Sequence, residues 1–283
     1  MKNTLIIYAL TGLLLFFLTL PDLVAQHTNV SIETYKNIGE DSLAIHIYQA
    51  QNGPKEKHAA MIFFFGGGWV GGSLSQFEPH AKYFADKGLI TVLADYRVKN
   101  RHQTRPFEAL EDAKSAIRYL KENGERLGID SAQIIAAGGS AGGHLAAATA
   151  LISKYNDEND NLSISPKPAA LVLFNPVLDN GPGGYGFERI GEAYPDFSPL
   201  HNVRKGAPPT LLFLGTEDQL IPVETAQYYK VVMEKVGSTC DLKLYEGQGH
   251  GFFNFQHQKY YESTILETEK FLGELGYLKS KSP

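Results

Sequence analysis

The stretch Gln133-Ile134-Ile135-Ala136-Ala137-Gly138-Gly139-Ser140-Ala141-Gly142-Gly143-His144-Leu145-Ala146-Ala147-Ala148 decides the fold. An apolar run stops at two glycines, and helix formers resume after Gly143. That pattern reads as a strand, a sharp turn and a helix, with one serine in the turn. The glycines are needed because strand and helix approach too closely for side chains, and a strained turn of this kind lifts a serine hydroxyl above the sheet edge. The helix N-terminus beneath Ser140 favours negative charge developing nearby. A G-x-S-x-G pattern in a chain with 28 glycines is modest evidence alone, since a glycine-rich loop with a solvent-facing serine gives the same letters. The strand-to-helix setting argues against that alternative.

Outward from this turn, apolar runs bounded by turn residues recur along the chain. Residues 59–65, 89–95, 133–137, 169–174 and 210–215 are near-continuous apolar runs, as parallel strands covered on both faces require. Residues 31–36 and 43–48 alternate apolar and polar, as an antiparallel entry pair would, and 241–245 reads as a final strand. Between them, 107–122 sets Phe107, Leu110, Ala113, Ile117 and Leu120 on one helical stripe, and 140–153, 223–236 and 260–275 behave similarly. Strands alternating with helices predict an α/β fold with a mostly parallel, eight-stranded sheet flanked by helices. No repeat or long linker interrupts residues 26–283, so a single domain is expected there. In such sheets ligands gather at the carboxyl ends of the strands, where every remaining motif falls.

The first of these is Met61-Ile62-Phe63-Phe64-Phe65 running into Gly66-Gly67-Gly68-Trp69. Acyl transfer passes through a tetrahedral oxyanion that needs preorganised N–H donors, and bare glycine backbone can approach the reacting carbon. Gly67, Gly68 and Ala141 are the expected donors. A phosphate-binding loop would need Lys-Ser/Thr after its glycines, and Trp69-Val70 stands there instead. A general base is expected on a late loop, because in this architecture the order is serine, acid, histidine. Of nine histidines, His250 follows the last strand between Gly249 and Gly251. His144, one turn beyond Ser140 on the same helix, reads as structural. The acid is expected at Asp218 in Leu214-Gly215-Thr216-Glu217-Asp218, with Glu217 a flanking turn residue and Asp179 the competitor.

The net charge of -5 offers no footing for nucleic acid. A lone cysteine, Cys240, excludes an intramolecular disulfide and any Cys-rich metal site, and reads as a buried hydrophobe. No metal or organic cofactor is implied. At the N-terminus, Lys2 precedes an apolar run from Leu5 to Leu20, broken by Pro21 before Ala25. This reads as a signal peptide over residues 1–25, hence an exported protein, with an uncleaved anchor as the alternative. No stable membrane insertion is expected after cleavage.

FFFGGGWVGGS, DYRV at Asp95–Val98, GGSAGGH, LGTEDQLIP and EGQGHGF together resemble the compact α/β-hydrolase-fold esterases related to the hormone-sensitive-lipase group. Among these the chain is most similar to secreted acetylesterase and carbohydrate-esterase-like members. The resemblance spans about residues 30–277 and carries Ser140, Asp218 and His250 over as a triad, with Gly67, Gly68 and Ala141 as oxyanion-hole donors. It departs at Phe65, where the larger family usually has a histidine that braces the glycine loop. The expectation is a changed pocket floor and retained catalysis.

The largest irregular segment, residues 178–207, is expected to form a small lid after the sixth strand. Trp69, Tyr185 and Phe187 are candidate walls for an acyl group or a stacked sugar, against the plainer reading of a small aromatic core. The expected activity is a serine carboxylesterase acting on short acyl esters, acetyl above all because a shallow site suits it, on a small-molecule or polysaccharide alcohol. The alternatives are peptide or lactone hydrolysis on the same triad, or an inactive hydrolase fold used for binding.

Overall fold

The computed structural model describes residues 28–50 and 57–278. The expected signal peptide, residues 1–25, lies outside the described residues.

Eight strands form one sheet: β1 (Thr28–Ile38), β2 (Asp41–Ala50), β3 (His58–Phe64), β4 (Ile90–Ala94), β5 (Ile129–Gly139), β6 (Ala170–Phe174), β7 (Thr210–Gly215) and β8 (Cys240–Tyr245). Their order is β1-β2-β4-β3-β5-β6-β7-β8. β1 and β2 pair antiparallel, β2 meets β4 antiparallel, and every pairing from β4 to β8 is parallel. The expected antiparallel entry pair and parallel body are both present. The serine-bearing strand lies among the central ones, between β3 and β6.

The helices among the described residues are α1 (Glu78–Asp86), α2 (Lys99–His102), α3 (Pro106–Glu122), α4 (Gly124–Leu127), α5 (Ala141–Leu151), α6 (Phe187–Ile190), α7 (Tyr194–Phe197), α8 (Val223–Lys235) and α9 (Gln258–Glu274). Helix α1 has no counterpart in the sequence reading. Its buried stripe is short, and His80 occupies one of its four positions beside Ala81, Phe84 and Ala85.

Strand side chains alternate between two layers of core. Ile62 and Phe64 of β3 join the layer holding Ala113 and Ile117 of α3, Leu145 of α5 and Tyr229 of α8. Met61 and Phe63 join the layer holding Phe84 of α1 and Ile265 and Phe271 of α9. Burial on both faces explains why the central strands read as continuous apolar runs. Cys240 is buried at the start of β8, as expected. None of the described helices is long and apolar enough to cross a membrane.

Candidate active site

Ser140 stands between β5 and α5 with φ 53° and ψ -118°, the strained conformation expected of a serine at a strand-to-helix corner. Its N–H donates to Phe174 O at 2.8 Å, which ties the corner to the end of β6, and Val177 N donates to Ser140 O at 3.2 Å. A Cβ at Gly142 would collide with the carbonyl oxygens of Phe64 and Phe65, and one at Gly143 would come within 2.9 Å of Pro176 Cβ. Helix α5 can therefore start directly over the sheet only because these positions lack side chains.

The loop after β3 lies against this corner. A Cβ on Gly66 would sit 3.0 Å from Gly139 O and 3.3 Å from Ser140 Cβ. Val70 and Gly71 donate back to Gly67 O, closing a tight turn. Gly67 and Gly68 have φ of 125° and 63°, which glycine adopts without strain. No intramolecular acceptor is found for the N–H of Gly67 or Gly68 among the described residues. Ala141 is the first residue of α5, where helix N–H groups lack intrahelical acceptors. The glycine loop thus lies beside the Ser140 corner through Gly66, and the N–H groups of Gly67 and Gly68 are left without an intramolecular acceptor among the described residues.

Phe65 is buried and stacks on Tyr96, with ring centroids 4.1 Å apart and planes 16° from parallel. Tyr96 Oη donates to Phe65 O at 2.7 Å. A Cβ on Gly72 would strike the Phe65 ring, so that ring also floors the far end of the glycine loop. Aromatic packing braces the loop at the position where a histidine was the family expectation.

His250 Nδ1 lies 2.8 Å from Asp218 Oδ2. The carboxylate only accepts, so the imidazole donates from Nδ1 and leaves Nε2 as the basic nitrogen. The Asp218 side chain is fully buried and that of His250 is 25% exposed. Asp218 Oδ1 accepts from the N–H groups of Leu220 and Ile221 at 2.8 and 3.0 Å. Oδ2 accepts a second hydrogen bond from Asn175 Nδ2 at 2.8 Å. Burial alone would raise the Asp218 pKa, but the bonds from His250, Asn175 and Leu220 outweigh it and hold it below the usual carboxylate value. The His250 loop reaches the serine corner through Phe253: a Cβ on Gly139 would come 2.6 Å from its ring.

Asn175 has no place in the sequence reading. Its signal is faint, an Asn-Pro pair closing an apolar run, which reads as a turn. The structure gives it φ 44° at the end of β6, with its side chain fully buried against the acid.

The competitor Asp179 lies elsewhere: its Oδ1 accepts from Gly181 N at 2.9 Å and stands 3.7 Å from His201 Nδ1. Glu217 is exposed. His144 is fully buried, its Nε2 2.9 Å from Phe197 O and its ring 4.4 Å from that of Phe197, a structural role as expected.

The segment 178–207 folds into α6, α7 and short 3-10 turns. Trp69, 2% exposed, packs between His144 at 5.1 Å, Tyr185 at 6.0 Å and Phe197 at 6.1 Å. Arg189 of this segment donates to Gly68 O and lies 5.4 Å from the Trp69 ring centroid. The Phe187 ring faces Tyr194 within the segment, 6.0 Å away. A cavity of about 590 Å³ opens beside Trp69, bordered by Asn100, Thr104, Arg105 and Arg189. No group of acidic, histidine and cysteine side chains able to hold a metal is found among the described residues.

The BD-FAE family model matches residues 45–180, and the Dienelactone hydrolase family model matches residues 184–270. Esterase LipC of Mycobacterium tuberculosis is 30% identical over 73% of this chain and 56% of its own length. Ethyl acetate hydrolase of Pseudomonas putida is 28% identical over 75% of this chain and 71% of its own. The chain spans about half the length of LipC and of several other curated relatives it matches. Solved structures of Thermogutta terrifontis esterase 2 superpose with a TM-score of 0.85 at 40% identity, covering 89% of this chain and 97% of that one. That esterase has also been solved with propionate and with butyrate bound. At that identity across almost the whole of a solved esterase, the chain belongs to the carboxylic ester hydrolases of the α/β-hydrolase fold, in the hormone-sensitive-lipase-like group.

Proposed function

We propose that the chain is a serine carboxylesterase for short acyl esters, acetyl above all, with Ser140, His250 and Asp218 as its triad. The observation that carries this is the 2.8 Å contact of His250 Nδ1 with a buried Asp218, beside a serine held at positive φ. His250 Nε2 takes the Ser140 proton as Oγ attacks the ester carbonyl. The oxyanion is met by the N–H groups of Gly67, Gly68 and Ala141, and His250 then protonates the departing alcohol. Water attacks the acyl-enzyme by the same route and releases the acid. Asp218 stabilises the imidazolium without taking its proton.

The short-acyl reading is supported by the propionate and butyrate complexes of the Thermogutta esterase and by the name of the Pseudomonas relative. Residues 178–207 would act as a small lid, with Trp69, Tyr185 and Phe187 near the acyl or alcohol group. The apolar run after Lys2 supports export, and export suits a polymeric acetylated substrate such as a plant or algal polysaccharide. The match of residues 184–270 to the Dienelactone hydrolase family gives lactone hydrolysis some footing as a second reading.

A series of p-nitrophenyl esters from acetate upward, run beside acetylated xylan and a γ-lactone, tests these readings together. The expected result is a maximum of kcat/KM at acetate to butyrate. A maximum at long chains sinks the short-acyl reading, and a lactone turned over faster than any ester replaces it with the second.

A further inference from the structure

Two side chains outside the triad join its two loops. Gly66 N–H donates to Gln76 Oε1 at 2.6 Å, Gln76 Nε2 reaches Asn254 Oδ1 at 3.0 Å, and Asn254 Nδ2 reaches Gly251 O at 2.8 Å. The direction of this chain is fixed from both ends. Gly66 meets Gln76 with its N–H, so Gln76 must present its oxygen there and its amide group onward. Gly251 meets Asn254 with its carbonyl oxygen, so Asn254 must point its amide group there and its oxygen toward Gln76. Only one orientation of both amides satisfies the four groups, and each bond polarises the next in the same sense.

One end of this chain is the residue before Gly67 and Gly68, and the other is the residue after His250. Its two middle members are separated by 178 residues in sequence and come from the 3-10 turn Leu74–Gln76 and the loop before α9. Gln76 and Asn254 are each half-buried, so water does not freely replace either bond.

We infer that Gln76 and Asn254 are positioning residues that set the distance between the oxyanion glycines and the general base. Resting on the esterase reading above, they touch neither the ester nor the reacting atoms. They hold the glycine loop and the histidine loop in one register, so that proton transfer and oxyanion stabilisation act on the same carbonyl. A displacement of about 1 Å between such groups costs up to about a hundredfold in rate. Ground-state binding of a small acyl group does not need that register, so the loss falls on kcat and leaves KM little changed.

Gln76→Met keeps the side-chain length and removes both hydrogen bonds, and Asn254→Leu removes the other half of the link. Each variant and the double variant are assayed on p-nitrophenyl acetate, and amide hydrogen exchange is followed over residues 66–72 and 249–254. The expected result is a fall of about tenfold in kcat for each single variant, with KM within about twofold. The double variant is expected to be no slower than the worse single one, since either change breaks the same chain. Exchange rises in both segments whichever residue is replaced. Losses that multiply in the double variant, an unchanged kcat, or exchange that rises only beside the mutated residue overturn the inference. A wild-type chain without esterase activity whose two segments still loosen together sinks the esterase reading and leaves the link between the loops standing.

Discussion

Asn175 donates from Nδ2 to Asp218 Oδ2 at 2.8 Å, and that oxygen is the one His250 meets with Nδ1. Besides His250, the Asp218 carboxylate is held by the Asn175 side chain, just past β6, and by two backbone N–H groups of its own loop, so three hydrogen bonds from two segments fix the group that meets the imidazole.

Removing the β6 support is best done with Asn175→Gly, because Asn175 has φ 44° and an alanine there would add backbone strain. The expected outcome is a fall of about tenfold in kcat, the scale on which partners that orient a functional group act. KM stays near its wild-type value. Steady-state kinetics on p-nitrophenyl acetate check it, and a change in KM alone would assign Asn175 to substrate binding.

Asp218→Asn keeps the shape of the acid and alters what it presents to His250. The replacement can offer an amide N–H toward Nδ1, which selects the tautomer with the proton on Nε2 and leaves no base facing Ser140. A fall in kcat of about 10⁴ is expected, with native circular dichroism. Asp179→Asn, removed from the acid position, is expected to stay within about threefold of wild type.

The Phe65 ring, stacked on Tyr96 and lying under Gly72, predicts a stability cost as well as a rate cost. Phe65→Ala is expected to lose about 3–5 kcal/mol in urea unfolding, as for other buried phenylalanines. Tyr96→Phe, which removes only the hydroxyl bond to Phe65 O, is expected to lose about 1 kcal/mol. If Phe65→Ala is as stable as wild type, the aromatic brace assigned to the glycine loop is wrong.

Two buried histidines set an acid limit on stability. Burial pushes both His80 and His144 down to about 3. In the unfolded chain each takes a proton below about 6.5, while the folded chain resists protonation until about pH 3. The unfolded state therefore binds more protons in that window, and stability falls as pH drops through it. Each histidine contributes a slope of up to about 1.4 kcal/mol per pH unit there. His80 sits among the rings of Phe63, Phe77, Phe174 and Tyr261, so His80→Leu is expected to flatten the slope without touching activity. Urea midpoints at pH 4, 5, 6 and 8 measure it, and an unchanged slope would contradict the assignment.

The body of the fold is legible in the sequence because strands covered on both faces must be apolar throughout, and the helices over them must show a stripe. The pairing of Asp218 with His250 is legible for a different reason: chain order in this architecture leaves few residues free to fill each role. Helix α1 escapes that reading because a histidine stands in its stripe. Asn175 escapes because an asparagine before a proline reads as a turn wherever it falls. Gln76 and Asn254 escape more completely, since their contact joins points 178 residues apart and neither lies in a motif. Phe65 reads as a departure until Tyr96 is seen stacked on it, which turns an apparent loss of a brace into a different brace.

The central claim is that Ser140 is the nucleophile activated by His250. Its most direct measurement is intact-mass and peptide analysis after reaction with a fluorophosphonate. A single adduct is expected on the peptide that contains Ser140, absent in Ser140→Ala and strongly slowed in His250→Ala. Stoichiometric labelling that persists in Ser140→Ala, or labelling indifferent to His250→Ala, would contradict it.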